Sequence, residues 1–160
     1  MNKITKTADL LAYPRGTKKS KYSYKNGKPT PEFSTAFNNV FKRRSSWSRA
    51  PRLGASCDVA VAVVMRYSGV ARKYPRGRNE QIKYNPKKCK KIIYRNTTPY
   101  KVAKDGDVII YCRGNGGGHT LIRGSGCWYE AAYQKTYFHK YKDAAKLHRK
   151  YPKIIIYRLK

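Results

Sequence analysis

One apolar segment in the middle of the chain restricts the fold more than any other feature. Residues 59–65 read VAVAVVM, and they are preceded by Ser56-Cys57-Asp58 and followed by Gly69. Alternating valine and alanine would also suit a buried strand, so the periodicity alone leaves both structures open. A helix is favoured by three features: the segment begins at Ser56 with Asp58 in its first turn, it is longer than ten residues, and it ends at Gly69. The segment therefore predicts a central helix that begins next to Cys57.

The second half of the chain carries shorter apolar runs that are separated by turn residues. They predict antiparallel strands, which read VIIYC at 108–112, HTLIR at 119–123, CWYEAA at 127–132 and KIIIYRL at 153–159. Glycine-rich segments at 113–118 and 124–126 join three of these runs. One helix followed by a strand meander predicts an α+β fold, in which the helix packs against an antiparallel sheet of about five strands.

The rest of the chain is more polar. Residues 1–50 form a basic N-terminal extension with one amphipathic helix at 31–41, for which Thr30 is the expected N-cap and Pro31 the first residue. Residues 49–54 and a charged segment from 73 to about 91 are expected to be loops. We expect a single domain, 1–160, with the extension packed on a core at 51–160.

The charge of the chain indicates its partners. Its 37 Lys and Arg against 8 Asp and Glu give a net charge of +29, which attracts nucleic acid, anionic membranes or anionic cell-wall polymers. No apolar run approaches the roughly 20 residues of a membrane span, and no ordinary secretory signal follows the basic N-terminus. The four cysteines form no CxxC pair, so we expect mostly reduced thiols.

Cys57 is the first candidate for chemistry. The free N–H groups and the positive end of a helix dipole favour a thiolate at this position. The backbone N–H of Cys57 would also point at the oxygen of an acyl group under attack, as in an oxyanion hole. The alternative is a small buried apolar residue, which is what most free cysteines are.

Two further residues suit a role beside such a nucleophile. His119 follows three glycines at a strand start, where a neutral imidazole could accept the thiol proton and return it to a leaving amine. Glu130 lies on the next strand, within reach of the far imidazole nitrogen, and would fix its tautomer. The alternatives are a turn histidine and a surface carboxylate. His139 and His148 lie in a segment rich in Lys and Tyr that is typical of a solvated face.

Other functions fit the sequence less well. A zinc site from Cys112, His119 and Cys127 lacks a close ligand pair. The glycine-rich segment before His119 has no following Lys-Ser/Thr and precedes a strand, unlike a phosphate-binding loop. A basic nucleic-acid-binding module is the stronger alternative, because tyrosines interleaved with basic residues suit base stacking and phosphate contact.

Several segments together resemble the NlpC family of papain-like cysteine peptidases. Residues 54–70, GASCDVAVAVVMRYSGV, are similar to the nucleophile helix of that family, and 106–111 with 118–122 are similar to its Gly-Asp and Gly-His strands. Residues 130–132, EAA, match the position of its third polar residue, and 156–160 resemble the closing strand. The resemblance covers about residues 50–160. The usual Asp-Cys-Ser order is replaced here by Ser56-Cys57-Asp58, and the third residue is commonly His, Asn or Gln.

This resemblance implies a papain-like fold and hydrolysis of an amide in the peptide part of bacterial peptidoglycan, without a metal or cofactor. It implies Cys57 as nucleophile, His119 as general base and acid, and Glu130 as the residue that orients the imidazole. The alternative within the same layout is an amidase that cuts the sugar–peptide amide. The expected partners are peptidoglycan and anionic wall polymers, with only non-specific nucleic-acid binding. The expectation is a monomer, secreted or phage-delivered, that acts at the wall.

Overall fold

The computed structural model describes residues 1–41 and 56–160. Within these ranges six α-helices and one short 3₁₀ helix surround a single sheet. The helices are α1 (Lys3–Leu11), α2 (Lys19–Tyr22), α3 (Pro31–Phe41), α4 (Cys57–Tyr67), α5 (Arg78–Lys83) and α6 (Pro99–Val102), and the 3₁₀ helix is Ala145–His148. The loop expected at 49–54 lies outside the described residues.

The sheet has six antiparallel strands in the order β1-β6-β2-β3-β4-β5. The strands are β1 (Cys89–Thr97), β2 (Val108–Cys112), β3 (Gly118–Gly124), β4 (Cys127–Ala132), β5 (Thr136–Tyr141) and β6 (Tyr151–Leu159). Strands β2 to β5 form a meander, and β6 returns to insert between β1 and β2. The class is therefore α+β, as expected from the sequence.

Helix α4 is the centre of the larger core. Every residue from Val59 to Met65 is buried, which suits a helix that is apolar on all sides. The helix packs against β3, β4, α1 and α3, and Gly69 ends it with a φ of 76°. The prediction of a central helix is confirmed, and the glycine supplies the left-handed backbone that a helix stop often needs.

Helix α3 also agrees with the prediction. The hydroxyl of Thr30 accepts a hydrogen bond from the N–H of Phe33 at 3.0 Å, which is the N-cap interaction expected at this position. Phe33 and Phe37 are buried in the same core as α4. The helix therefore holds part of the N-terminal segment on the domain.

Two strands were not predicted, so the expected count of about five is corrected to six. Strand β1 begins inside the segment expected to be a loop up to about residue 91, and β5 lies in the segment expected to be a solvated face. Strand β1 is an edge strand with Lys90 and Arg95 exposed, and charged residues on an edge are a common way to block further strand pairing.

Helix α1 was not predicted either. Asn2 caps it by accepting from the N–H of Thr5 at 3.1 Å, and Ile4, Ala8 and Leu11 bury one face against the core. One face of this N-terminal helix therefore belongs to the core. Within the described ranges, no helix has both the length and the apolar character that crossing a membrane requires.

Candidate active site

Cys57 is the first residue of α4 and is partly buried. Strands β3 and β4 pair only over Ile122–Gly124, so the start of β3 is separated from β4. The thiol lies beside this unpaired part, where the backbone N–H of Thr120 can donate to the sulfur. The helix N-terminus and a strand N–H thus both direct donors at the sulfur region.

Asp58 has a local role at the start of α4. Its carboxylate accepts from the hydroxyl of Ser56 and from the N–H of Val59, the latter at 2.8 Å. The buried Gln81 side chain donates to the carbonyl of Asp58 at 2.9 Å. These contacts satisfy polar groups of the first turn and fix the backbone on which Cys57 is carried.

His119 and Glu130 are brought together at the other side of the sulfur. Nε2 of His119 lies 3.1 Å from Oε1 of Glu130, and the two residues are only 8 % and 6 % exposed. Because Nε2 faces the carboxylate, Nδ1 is the ring nitrogen left for the hydrogen bond with the Cys57 thiol. The structure therefore places the three residues singled out from the sequence in one connected group.

Two residues that were not predicted hold the carboxylate of Glu130. The hydroxyl of Tyr141 donates to Oε1 at 2.7 Å, and Nζ of Lys146 lies 2.6 Å from the carboxylate. Lys146 comes from the 3₁₀ helix between β5 and β6, so it reaches the group through a tertiary contact that no local pattern signals. With three donors around it, Glu130 has little freedom to rotate.

The electrostatics of the group favour an ion pair between sulfur and imidazole. Burial raises the pKa of the Cys57 thiol, but the hydrogen bond with His119, its charge and the N–H of Thr120 outweigh burial and lower that pKa overall. Burial lowers the pKa of His119, but the hydrogen bonds with Cys57 and Glu130 outweigh it and raise that pKa. The two shifts together stabilise a thiolate beside an imidazolium.

Glu130 is held ionised in this arrangement. Burial raises the pKa of its carboxyl, yet His119 and Lys146 together outweigh burial and bring it down to about 2. A carboxyl group with this pKa is ionised at neutral and mildly acidic pH, where the imidazole can be protonated. Its charge therefore remains available to stabilise the imidazolium and to fix the ring.

The group opens into two clefts that meet at Cys57. The larger, of about 650 Å³, contains His119 and Glu130 on its wall, and the smaller, of about 450 Å³, lies on the side of Asp58. Gly118 and Tyr133 line both clefts, so they form the boundary between them. Such paired clefts can take up the two halves of a molecule whose central bond lies at the sulfur.

Gly118, directly before His119, has a packing reason to be glycine. A Cβ at this position would collide with the carbonyl oxygen of Tyr111 on the neighbouring strand. The pairing with β2 therefore requires glycine here, and the interpretation that the glycines let another group approach the imidazole stays a prediction.

His139 corrects one expectation from the sequence. It was assigned to a solvated face, but it is only 8 % exposed, lies opposite Glu130 on β5 and lines the larger cleft. Its Nδ1 hydrogen-bonds with the carbonyl of Tyr137 at 2.9 Å, and its ring stacks on Tyr22 at 4.3 Å. His148, in contrast, has a half-exposed side chain, as expected. The alternation of Tyr137, His139 and Tyr141 is the signal that would have indicated β5.

The other cysteines and the metal hypothesis lie outside this group. All four cysteines are free thiols, as expected, and burial raises the pKa of Cys89 to about 11. In the described part of the chain no three His, Cys, Asp or Glu side chains are grouped as metal ligands would be, so Cys112, His119 and Cys127 do not form the zinc site that we considered.

Comparisons with known proteins add no relative. No family model matches this chain, and neither a curated protein nor a solved structure does.

Proposed function

We propose that this chain is a cysteine hydrolase with a papain-like fold, which cuts an amide in the peptide part of bacterial peptidoglycan. The observation that carries the proposal is the buried chain of contacts from Cys57 through His119 to Glu130, opening into a cleft. A structural cysteine needs neither a proton acceptor nor a carboxylate behind that acceptor, whereas in a nucleophilic site the acceptor activates the thiol and the carboxylate orients the acceptor. The peptidoglycan substrate comes from the resemblance to the NlpC family.

The first half of the reaction follows from the contacts. The thiol proton of Cys57 passes to Nδ1 of His119, and the thiolate attacks the carbonyl carbon of the amide. The negative charge on the carbonyl oxygen is stabilised by the backbone N–H of Cys57 at the start of α4. The C–N bond then breaks, His119 returns the proton to the departing amine, and the acyl group stays on sulfur as a thioester.

The second half regenerates the enzyme. His119 takes a proton from water, the hydroxide attacks the thioester carbonyl, and the C–S bond breaks to release a carboxylic acid. Glu130 stays ionised throughout and stabilises the imidazolium in both halves, since its Oε1 contacts Nε2 at 3.1 Å. No cofactor is needed to balance these steps.

Digestion of purified peptidoglycan tests the proposal. The wild-type protein and the Cys57→Ala variant are incubated with the polymer, and the soluble products are identified by mass spectrometry. New amines and carboxylic acids within the stem peptide are expected for wild type alone, whereas products cut at the sugar–peptide amide would indicate the amidase alternative. If cleavage persists in the variant, Cys57 is not the nucleophile. If neither protein cleaves the polymer, peptidoglycan is not the substrate.

We propose that the net charge of +29 attaches the enzyme to the bacterial cell wall. A basic surface holds the enzyme against a wall rich in anionic polymers and raises its local concentration there. Binding of the Cys57→Ala variant to purified walls should therefore weaken as salt increases, because salt screens exposed charges beyond about 10 Å. Wall binding that is independent of salt contradicts this role.

A further inference from the structure

The two clefts beside Cys57 differ in charge. The larger cleft, on the side of His119, is lined by four lysine and arginine side chains in addition to the imidazole, and Glu130 is its one carboxylate among the described residues. The cations are Lys19, Arg113, Lys135 and Lys146. The smaller cleft is lined by the carboxylates of Asp58 and Glu80 and by the guanidinium of Arg78. The charge asymmetry thus runs across the sulfur, along the path that a substrate would occupy.

Three of the four cations remain available to a ligand. Lys146 is engaged by Glu130 at 2.6 Å, but Lys19, Arg113 and Lys135 have no carboxylate oxygen of the described residues within 4.0 Å. Arg113 is positioned by the ring of Tyr111, 5.5 Å from its guanidinium carbon. The three come from α2, from the β2–β3 loop and from the β4–β5 turn, so the fold collects them from separate segments.

The chemistry decides which half of a substrate meets these cations. The departing amine has to receive its proton from His119, so the leaving-group half lies on the side of the imidazole. That side is the larger cleft, because His119 and Glu130 line it and do not line the smaller one. The acyl half then lies toward Asp58 and Glu80, where a second carboxylate near the bond would be repelled.

We propose that the leaving-group residue of the substrate carries a free carboxylate, which Lys19, Arg113 and Lys135 bind. The inference rests on the proposed function and narrows its substrate to amides whose amine product is a carboxylate-bearing amino acid. It also gives the N-terminal segment a role in the site, because Lys19 lies on α2, whose Tyr22 stacks on His139 in the same cleft. The cations of the larger cleft and the carboxylates of the smaller cleft then fix the direction in which the substrate binds.

A matched pair of peptides tests this specificity. The probes are L-Ala-γ-D-isoglutaminyl-L-Lys, whose acyl half has its α-carboxyl amidated and whose lysine has a free α-carboxylate, and the same peptide with a C-terminal carboxamide. The variant Lys19→Gln/Lys135→Gln is compared with Lys21→Gln/Lys142→Gln, which removes the same charge from exposed lysines outside both clefts. The KM of the carboxylate peptide should rise roughly tenfold in the cleft variant alone, since each partly exposed ion pair contributes up to roughly fivefold in affinity.

The pattern across the two peptides separates the explanations. We expect kcat to be unchanged, the KM of the carboxamide to be insensitive to the cleft variant, and the KM of the carboxylate peptide to rise with salt. Equal hydrolysis of both peptides by wild type overturns the inference and leaves the proposed function standing. If neither peptide is cut, the proposed function fails on this substrate. The inference about the carboxylate is then tested by measuring the binding of the two peptides to Cys57→Ala. Tighter binding of the carboxylate peptide that the cleft variant loses supports the inference, and equal or absent binding overturns it.

Discussion

Replacing Glu130 by Gln removes the charge behind His119 while keeping a side-chain oxygen that can accept from Nε2. A hydrogen bond to a charged group contributes about 1.5–3 kcal/mol and a neutral one about 0.5–1.5. The imidazolium at 3.1 Å should therefore lose about 1.5 kcal/mol, which is roughly a tenfold smaller population of the thiolate–imidazolium pair. Lys146 would then face a neutral side chain, and its charge would disfavour the imidazolium further.

The rate of iodoacetamide alkylation at Cys57, followed from about pH 4 to about pH 9, measures this change. For Glu130→Gln the rate at about pH 6 should fall roughly tenfold, with the rise of the curve moved to higher pH, and amide hydrolysis should fall by a similar factor. Glu32→Gln, an exposed carboxylate on α3, makes the same charge change away from the site and should leave the curve unaltered. A wild-type curve for Glu130→Gln would refute the reasoning that the carboxylate controls the ion pair.

The other predictions concern reactivity and stability. At about pH 6, iodoacetamide should label Cys57 and not Cys89, because burial raises the pKa of Cys89 to about 11. Peptide mapping measures the labelling of each cysteine. Equal labelling of the two would show that Cys57 is not activated. Glu130 has a pKa of about 2 in the folded chain against 4.5 ordinarily, so between these values the unfolded chain binds more protons and stability falls as pH falls. Urea unfolding at several pH values should show that wild type loses about 3 kcal/mol more stability than Glu130→Gln across this window, while Asp9 and Asp143, whose pKa values are lowered by hydrogen bonds with Lys140 and His148, contribute equally in both proteins; an equal loss in the two proteins would show that Glu130 is not its source. Gly118→Ala should lower the free energy of unfolding by about 1–3 kcal/mol because the methyl meets the Tyr111 carbonyl, and an unchanged Tm would show that the strand can shift.

The parts of the fold that the sequence predicts are those with a local signal. Ser56, the apolar run and Gly69 mark the two ends and the burial of α4 within one segment. The glycines before His119 and the strand that carries Glu130 are also visible as local patterns. Because the two strands follow each other in the chain and pair as neighbours, the sequence also predicts that His119 and Glu130 lie close together. The group around Cys57 is therefore recognisable before its geometry is known.

The residues that escaped prediction depend on tertiary contacts or on mixed patterns. Lys146 reaches Glu130 from a 3₁₀ helix, and nothing within its own segment distinguishes it from the many other lysines. In β5 the rings of Tyr137, His139 and Tyr141 recur with a period of two, but Phe138 and Lys140 between them are also large, so the contrast between the two faces that usually marks a strand is weak. Helix α1 has Ile4, Ala8 and Leu11 on one face, but its lysines give the segment the appearance of a polar lead-in.

The central claim is that an acyl group passes through the sulfur of Cys57. Acid-quenched mixtures of wild-type protein and peptidoglycan stem peptide, analysed by intact-protein and peptide mass spectrometry, test it most directly. The mechanism predicts an adduct with the mass of the acyl half on the peptide that contains Cys57, and neither adduct nor cleavage in Cys57→Ala. Amide hydrolysis by Cys57→Ala at the wild-type rate would contradict the claim.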